Sequence, residues 1–251
     1  MLRKRIIPCL DVRGGRLVKG INFESLRDCG DPADAAERYA AQGADEIVWL
    51  NISAGEEDWR GLLEAVERAA VRVDVPLCIG GGVSSVDQAR DLLNAGADKV
   101  SSNSAPLDRP ELIGELADRF GSQCVVIAID AAADGDGSWG AFASAGRRPT
   151  GRDAVAWAAE AADRGAGELL VTSIDTDGTL GGYDIELLRR ICRAVGVPVI
   201  ASGGAGGPRD LASALQAGAQ AALAASIFHD GVHTIAEVKQ EVARCGLPMR
   251  M

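Results

Sequence analysis

Two short apolar runs in this chain end on an acid. Residues 6–11 read IIPCLD, and residues 125–130 read VVIAID. A strand that buries both faces has no ordinary use for a terminal carboxylate, so Asp11 and Asp130 are candidates for chemistry. Two carboxyls held over an apolar interior can have their pKa values pushed apart, one serving as general acid and the other as general base. The plainer alternative is that each only caps a loop by accepting a backbone N–H. The pattern occurs twice in related positions, which favours function.

Two glycine segments suggest what such acids would act on. IGGGVSS starts at Ile79 and ASGGAGG at Ala201. Glycine leaves backbone N–H groups exposed and lets a phosphate come close, with a helix N-terminus behind it. SNSAP, from Ser102, and AASIFHD, from Ala224, are placed to complete each cradle. Two phosphate sites with two acids between them point to a long bis-phosphorylated substrate. The competing reading is that these glycines only permit tight turns. The segment IDTDGTLGGYD brings Asp175 and Asp177 to the same rim. Its DxDG run lacks the spacing and distant Glu of a calcium loop, so no metal is expected. VRGGRLVKGINFESLRDCGD, after the first acid, is long for a connector, and with Lys19 and its glycines it suits a closing lid, although on these residues alone a static surface loop with a solvated lysine is the better reading. His229 and His233 have no partner motif and read as surface or helix-cap residues.

These residues need elements to hold them. Eight strand candidates run along the chain: KRIIPCLD, DEIVWLN, VPLCIGG, DKVSSN, QCVVIAID, GELLVTSID, VPVIASGG and AALAAS. A helix-period segment follows nearly every one. DPADAAERYAAQG has an Asp N-cap, a Pro at the first helical position and a stop at Gly43. In SSVDQARDLLNAGAD, Ser85 and Gln88 read as a capping box. Strict alternation means parallel strands with right-handed crossovers, and runs apolar throughout mean strands covered on both faces. An internal repeat supports closure. Gly43 aligns with Gly165, Pro76 with Pro198 and Ser104 with Ser226, each pair 122 positions apart, while Asp11 and Asp130 are 119 apart. The expected fold is α/β, a (βα)8 TIM barrel of two duplicated half-barrels, about 1–120 and 121–251, in one domain of 251 residues. Active sites of that fold gather at the C-terminal ends of the strands, where both acids lie and where the first and fifth strands are opposed.

Composition excludes other classes. With a net charge of −10, the chain has no general pull on nucleic acid or anionic lipid. No apolar run approaches a membrane span, and the N-terminus lacks the apolar core of a signal peptide. The six cysteines show no CxxC and no zinc spacing, which fits a reducing cytoplasm.

Taken together, KRIIPCLDV, the VKGINFE segment, GGGVSS, GSQCVVIAIDA, GRRPTG, LLVTSIDTDGTLGGYD and IASGGAG resemble, over the whole length, the HisF family of cyclase subunits of imidazole glycerol phosphate synthase. The resemblance implies a cytoplasmic enzyme of histidine biosynthesis that pairs with a HisH-type glutaminase subunit as a heterodimer. It would use the partner's ammonia to split a phosphoribulosyl-formimino carboxamide ribotide (PRFAR) into imidazole glycerol phosphate and an aminoimidazole carboxamide ribotide (AICAR), without a cofactor. Asp11 and Asp130 match the family's acid/base pair and Lys19 its mobile-loop lysine. Cys9, Asn51 and Asp177 are the other supporting positions. Gly82, Asn103 and Ser104 match one phosphate site; Asp177, Gly178, Gly203, Gly204, Ala225 and Ser226 lie around the other. At the opposite end, Arg5, Glu46, Lys99 and Glu168 match a salt-bridged gate for ammonia, although alone they read as ordinary strand-end charges.

Three positions depart from the family pattern. Asn51 stands where an Asp is expected, Gly55 where a Ser is, and Ser102 where an apolar residue is. An amide cannot act as a base, so Asn51 puts any proton-transfer role at that position in doubt. Two rivals remain. One is the sister isomerase of the pathway, also a duplicated barrel, against which DGTLGGYD and VKGINF argue. The other is a non-catalytic phosphate-binding paralogue, against which the retained acids argue.

Overall fold

The computed structural model describes residues 3–21, 24–52 and 56–251, with the backbone alone at 19–21, 24–27 and 56. Asn22, Phe23 and Gly55 of the motifs above lie outside the described residues, as does the side chain of Lys19.

All eight strand candidates form strands: β1 Arg5–Arg13, β2 Ile47–Asn51, β3 Leu77–Gly80, β4 Lys99–Ser102, β5 Val125–Ala133, β6 Glu168–Ser173, β7 Val199–Ser202 and β8 Ala221–Ala224. Each pairs in parallel with the next, and β8 pairs back with β1, closing the barrel. The outer helices are α1 Pro32–Ala41, α2 Glu56–Ala70, α3 Val86–Asn94, α4 Glu111–Phe120, α5 Ala154–Asp163, α6 Ile185–Ala194, α7 Pro208–Gln216 and α8 Ile235–Arg244. A short extra helix precedes α4 (Ser104–Asp108) and another precedes α8 (Ser226–His229), one in each half.

Local chemistry starts the helices as expected, with one change. Asp31 caps α1 with Pro32 at its first turn, and Asp153 caps α5 at the repeat-related position. Ser85 accepts from the Gln88 amide, but the Gln88 side chain reaches back to Ser84 rather than Ser85, so the capping box is only half formed.

The segments after β1 and β5 are β-hairpins, which the sequence reading does not anticipate. Arg16–Ile21 and Glu24–Gly30 form one; Trp139–Ala143 and Arg148–Asp153 form the other. Each acid sits where its strand changes partner. Asp11 pairs with Leu50 of β2 and Val18 of the first hairpin, and Asp130 with Thr172 of β6 and Phe142 of the second.

Period-two alternation decides what lines the barrel. On β1, Ile6 and Leu10 pack outward with the helices, while Ile7 and Cys9 join an inner cluster with Val48, Cys78, Val126, Leu170, Ile200 and Leu223. Arg5 and Asp11 share the inward parity, one at each end of that stack. Outside the barrel, a buried ion pair fixes the C-terminal helix. Lys239 Nζ of α8 lies 2.7 Å from Asp45 Oδ1, and Asp45 Oδ2 accepts the Ile6 amide at 2.9 Å. Both side chains are almost fully buried. Replacing Lys239 with Met strands a buried anion and should cost about 3 kcal/mol by chemical denaturation. Asp45→Asn in the same chain keeps an acceptor for Ile6 and should recover most of that loss.

Candidate active site

Asp11 and Asp130 project from opposed strands into the mouth, above the apolar inner cluster. Burial, and after it the charge of Asp177, together raise each carboxyl from 3.8 to about 6. Asp177 is itself raised by its surroundings, against the Gly178 amide that favours its anion. The loop after β6 therefore delivers a third carboxylate that couples to both acids. The expected divergence of the pair is not seen: the two are raised alike. A backbone contact distinguishes them, since the Gly146 amide donates to Asp130 and favours its ionised form. Gly146 follows Ser144 and Ala145 at the tip of the second hairpin, and all three have positive φ (57°, 53° and 75°). For the two L-residues this conformation is strained. The Ser144 amide also donates to Ser104 Oγ at 2.8 Å, so one tip touches an acid and a residue of the first cradle. GRRPTG holds this tip, but nothing in its composition shows that it folds back onto Asp130.

The two cradles have matching geometry. The short helices start from Asn103 (φ −116°, ψ −74°) and Ala225 (φ −116°, ψ −70°). The glycine positions differ in purpose. A Cβ on Gly81 would lie 2.0 Å from the Asn51 carbonyl oxygen, and on Gly203, 2.8 Å from that of Ser173. On Gly204 it would lie 2.1 Å from the Gly182 carbonyl oxygen. These glycines are required by close backbone approach. Gly82 and Gly178 face open space, and they leave room for a ligand. In the first cradle both amide atoms of the Asn103 side chain are buried and without a hydrogen-bond partner among the described residues. Such a group is open to a partner, from a water or from a ligand.

At the other end of the barrel, Arg5, Glu46, Lys99 and Glu168 form a closed ring. Arg5 pairs with Glu46 and Glu168, and Lys99 Nζ lies 2.8 Å from each of the same glutamates. Burial alone would lower the pKa of Lys99, but the two glutamates outweigh it and hold it above the ordinary value. The candidates thus divide into a charged ring below and an acid-lined mouth above. Cys9 lies between them, its thiol raised well above its usual value by burial and by Asp11 and Asp177. Among the described residues no group of three or more His, Cys, Asp or Glu could hold a metal ion. No described helix is long and apolar enough to cross a membrane.

Residues 5–234 match the histidine biosynthesis protein family. The chain is 52% identical over 250 residues to a protein of Gluconacetobacter diazotrophicus, covering all of this chain and 97% of the relative. It is 54% identical over 252 residues to one from Dehalococcoides mccartyi, covering all of this chain and 99% of the relative. Both relatives are named imidazole glycerol phosphate synthase subunit HisF. The chain belongs to the HisF family.

Against that family pattern, the departures acquire a geometry. Ser102 is buried and donates to the Val83 carbonyl at 2.6 Å, fastening β4 to the first glycine loop. Asn51 is buried at the end of β2, off the parity that turns Glu46 and Val48 inward, with Nδ2 beside the open face of Gly82. It belongs to the first cradle rather than to the acid pair. Ser173 occupies the repeat-related place in the second half, buried, with its Oγ unpartnered among the described residues. His229 is half-buried at the end of the short helix, and its ring bridges β1 and α1. His233 lines an outer groove with Glu237 and Asp210.

The raised acids carry a stability cost with a defined sign. The folded state holds their protons more tightly than the unfolded chain, so stability falls as pH rises from about 4 to about 6 and the full penalty persists above that. Asp11→Asn or Asp130→Asn should therefore raise stability above pH 6, by up to about 3 kcal/mol each, with the gain vanishing below pH 4. Urea unfolding across pH 3.5–8 measures it.

Proposed function

We propose that this barrel is the cyclase subunit of an imidazole glycerol phosphate synthase, and that Asp11 and Asp130 are its acid/base pair. The observation that carries the mechanism is that burial and Asp177 lift both carboxyls to about 6. A carboxyl there is close enough to neutral pH to give a proton in one step and take one in another. Ammonia attacks the ribulosyl carbonyl of PRFAR; one acid protonates the departing oxygen, and the other takes protons during cleavage and ring closure. The products are imidazole glycerol phosphate and AICAR. The substrate's two phosphates seat at opposite edges of the mouth. One meets Gly82, Asn103 and Ser104; the other meets Gly178, Gly203, Gly204, Ala225 and Ser226, with Asp177 beside it. Asn103's unpartnered amide supports the first seat. Lys19, in the first hairpin, closes over the bound substrate as a lid.

A HisH-type glutaminase subunit docks at the N-terminal end as the other half of a heterodimer and supplies ammonia. The ring of Arg5, Glu46, Lys99 and Glu168 is the gate. Two cations and two anions in one cycle can exchange partners while each charge stays paired, so the ring can open without stranding a buried charge. Above it the inner apolar cluster favours neutral ammonia over ammonium.

The test is turnover of PRFAR by the purified chain with ammonium salt at alkaline pH, followed by chromatography. Asp11→Asn and Asp130→Asn should each lower kcat by at least about 100-fold, the scale of a lost general acid or base. Asn51→Asp should change kcat by less than about tenfold, because Asn51 lies off the inward parity of the acids. Binding without turnover in the unaltered chain would favour the non-catalytic paralogue instead.

A further inference from the structure

His229 has no part in the chemistry above, yet its ring joins three elements. It ends the short helix Ser226–His229, whose start carries the second proposed phosphate seat. Its Nε2 lies 2.7 Å from the Cys9 carbonyl oxygen on β1, and its Nδ1 lies 2.7 Å from the Tyr39 hydroxyl on α1. A carbonyl oxygen only accepts, so Nε2 carries a proton; in the neutral ring Nδ1 then takes the Tyr39 hydroxyl proton. Cys9 is two residues before Asp11 on the same inward face of β1.

The fold does not require this bridge. The repeat that sets Ser226 against Ser104 sets His229 against Leu107, Tyr39 against Ala161 and, by the Asp11–Asp130 offset, Cys9 against Ala128. Leu107 and Ala161 are buried apolar residues, neither of which can make the side-chain hydrogen bonds that His229 and Tyr39 make. A polar bridge on one side of a duplicated barrel adds little that packing does not already supply. What it does add is direction: it fixes the height of a backbone carbonyl relative to a phosphate seat.

We infer that His229 is a positioning residue for Asp11, linking occupancy of the Ala225–Ser226 phosphate seat to strand β1. The inference rests on the proposed function for the identity of the ligand, a phosphate monoester on the substrate. A phosphate drawn onto the short helix shifts its far end, and the His229 ring passes the shift to the Cys9 carbonyl and so to the Asp11 carboxyl. Tyr39, with the Arg38 guanidinium 5.3 Å from its ring centre, holds the ring from behind.

Three variants of the full chain test it: His229→Leu, His229→Gln and Tyr39→Phe. Leucine copies the residue that the other half already uses, so packing is kept and both hydrogen bonds go. Glutamine can still donate to Cys9. In ammonium-dependent turnover, His229→Leu should lower kcat by about 10- to 100-fold, the cost of a small misplacement of a catalytic group, with KM changed less than about threefold. His229→Gln should recover most of it, and Tyr39→Phe should fall between. A second readout needs no substrate: the titration of the Asp11 carboxyl followed by NMR. In His229→Leu its midpoint should fall toward the ordinary carboxylate range as the strand end loosens and admits water. Added inorganic phosphate should move the midpoint in the unaltered chain and not in His229→Leu. Unchanged kcat with an unchanged Asp11 titration in His229→Leu overturns the inference. So does equal loss of turnover in the Leu and Gln variants with the titration intact, which marks a merely structural ring. If the unaltered chain fails to turn over PRFAR, the proposed function fails, and the Asp11 titration still decides the role of His229.

Discussion

Below Asp11 and Asp130 the barrel offers Cys9, Cys78, Val48, Val126, Leu170 and Ile200, none of which can solvate an anion well. This one constraint sets the behaviour of the mouth. Each carboxyl is held at the rim by its own strand, and the chain cannot turn it outward without breaking the alternation that buries Ile7 or Val126. The result is a pair of acids near 6 rather than near 4. The same alternation puts Arg5 two steps below Cys9, where a charge survives only because Glu46 and Glu168 meet it. The mouth and the ring are thus two answers to one problem, charge at the ends of an apolar interior. At the mouth the proton is the remedy. At the ring the counter-ion is.

Duplication supplies the frame, and departures from it supply the chemistry. Both halves build a glycine loop and a short helix with nearly the same backbone angles at Asn103 and Ala225. A fully symmetric barrel would hold two equivalent seats and two equivalent acids, and could not tell one end of a substrate from the other. The halves differ at both ends of the barrel. Arg5 faces Cys124 in the repeat, Lys99 faces Ala221, Asn103 faces Ala225 and His229 faces Leu107. The Gly146 amide favours the anion of Asp130, and the Cys9 carbonyl beneath Asp11 is held by His229. Each acid therefore has its own tether, drawn from a different element.

Much of this was legible in the sequence because periodicity and repetition are local signals. Apolar runs of six residues ending on Asp, and pairs 122 positions apart, gave the closed barrel and both acids before any contact was known. The hairpins were not legible. Trp139–Ala143 sets two aromatics among small residues between two glycine-containing turns, and its strand character depends on pairing with β5. Raised but equal acids were not legible either, since Asp177 reaches both only after a loop from β6 folds over the mouth. The contacts of His229 were not legible for the same reason: its partners lie 190 and 220 residues away. Residues whose meaning is long-range contact carry no local pattern to read.

Asn51 shows how electrostatics of the whole mouth can make a departure tolerable. Three carboxylates already converge there, and the charge of Asp177 raises the cost of ionising both Asp11 and Asp130. The bis-phosphate substrate proposed above would bring further negative charge. A carboxylate at position 51 would add to that repulsion and could not donate to a phosphate. The amide adds no charge, and its Nδ2 lies beside the open face of Gly82, in the same cradle as the unpartnered amide of Asn103. Exchange of an acid for its amide at this place removes a charge near the proposed acid pair and leaves a donor near the proposed seat, and the barrel geometry allows it because Asn51 sits off the inward parity that Asp11 and Asp130 occupy.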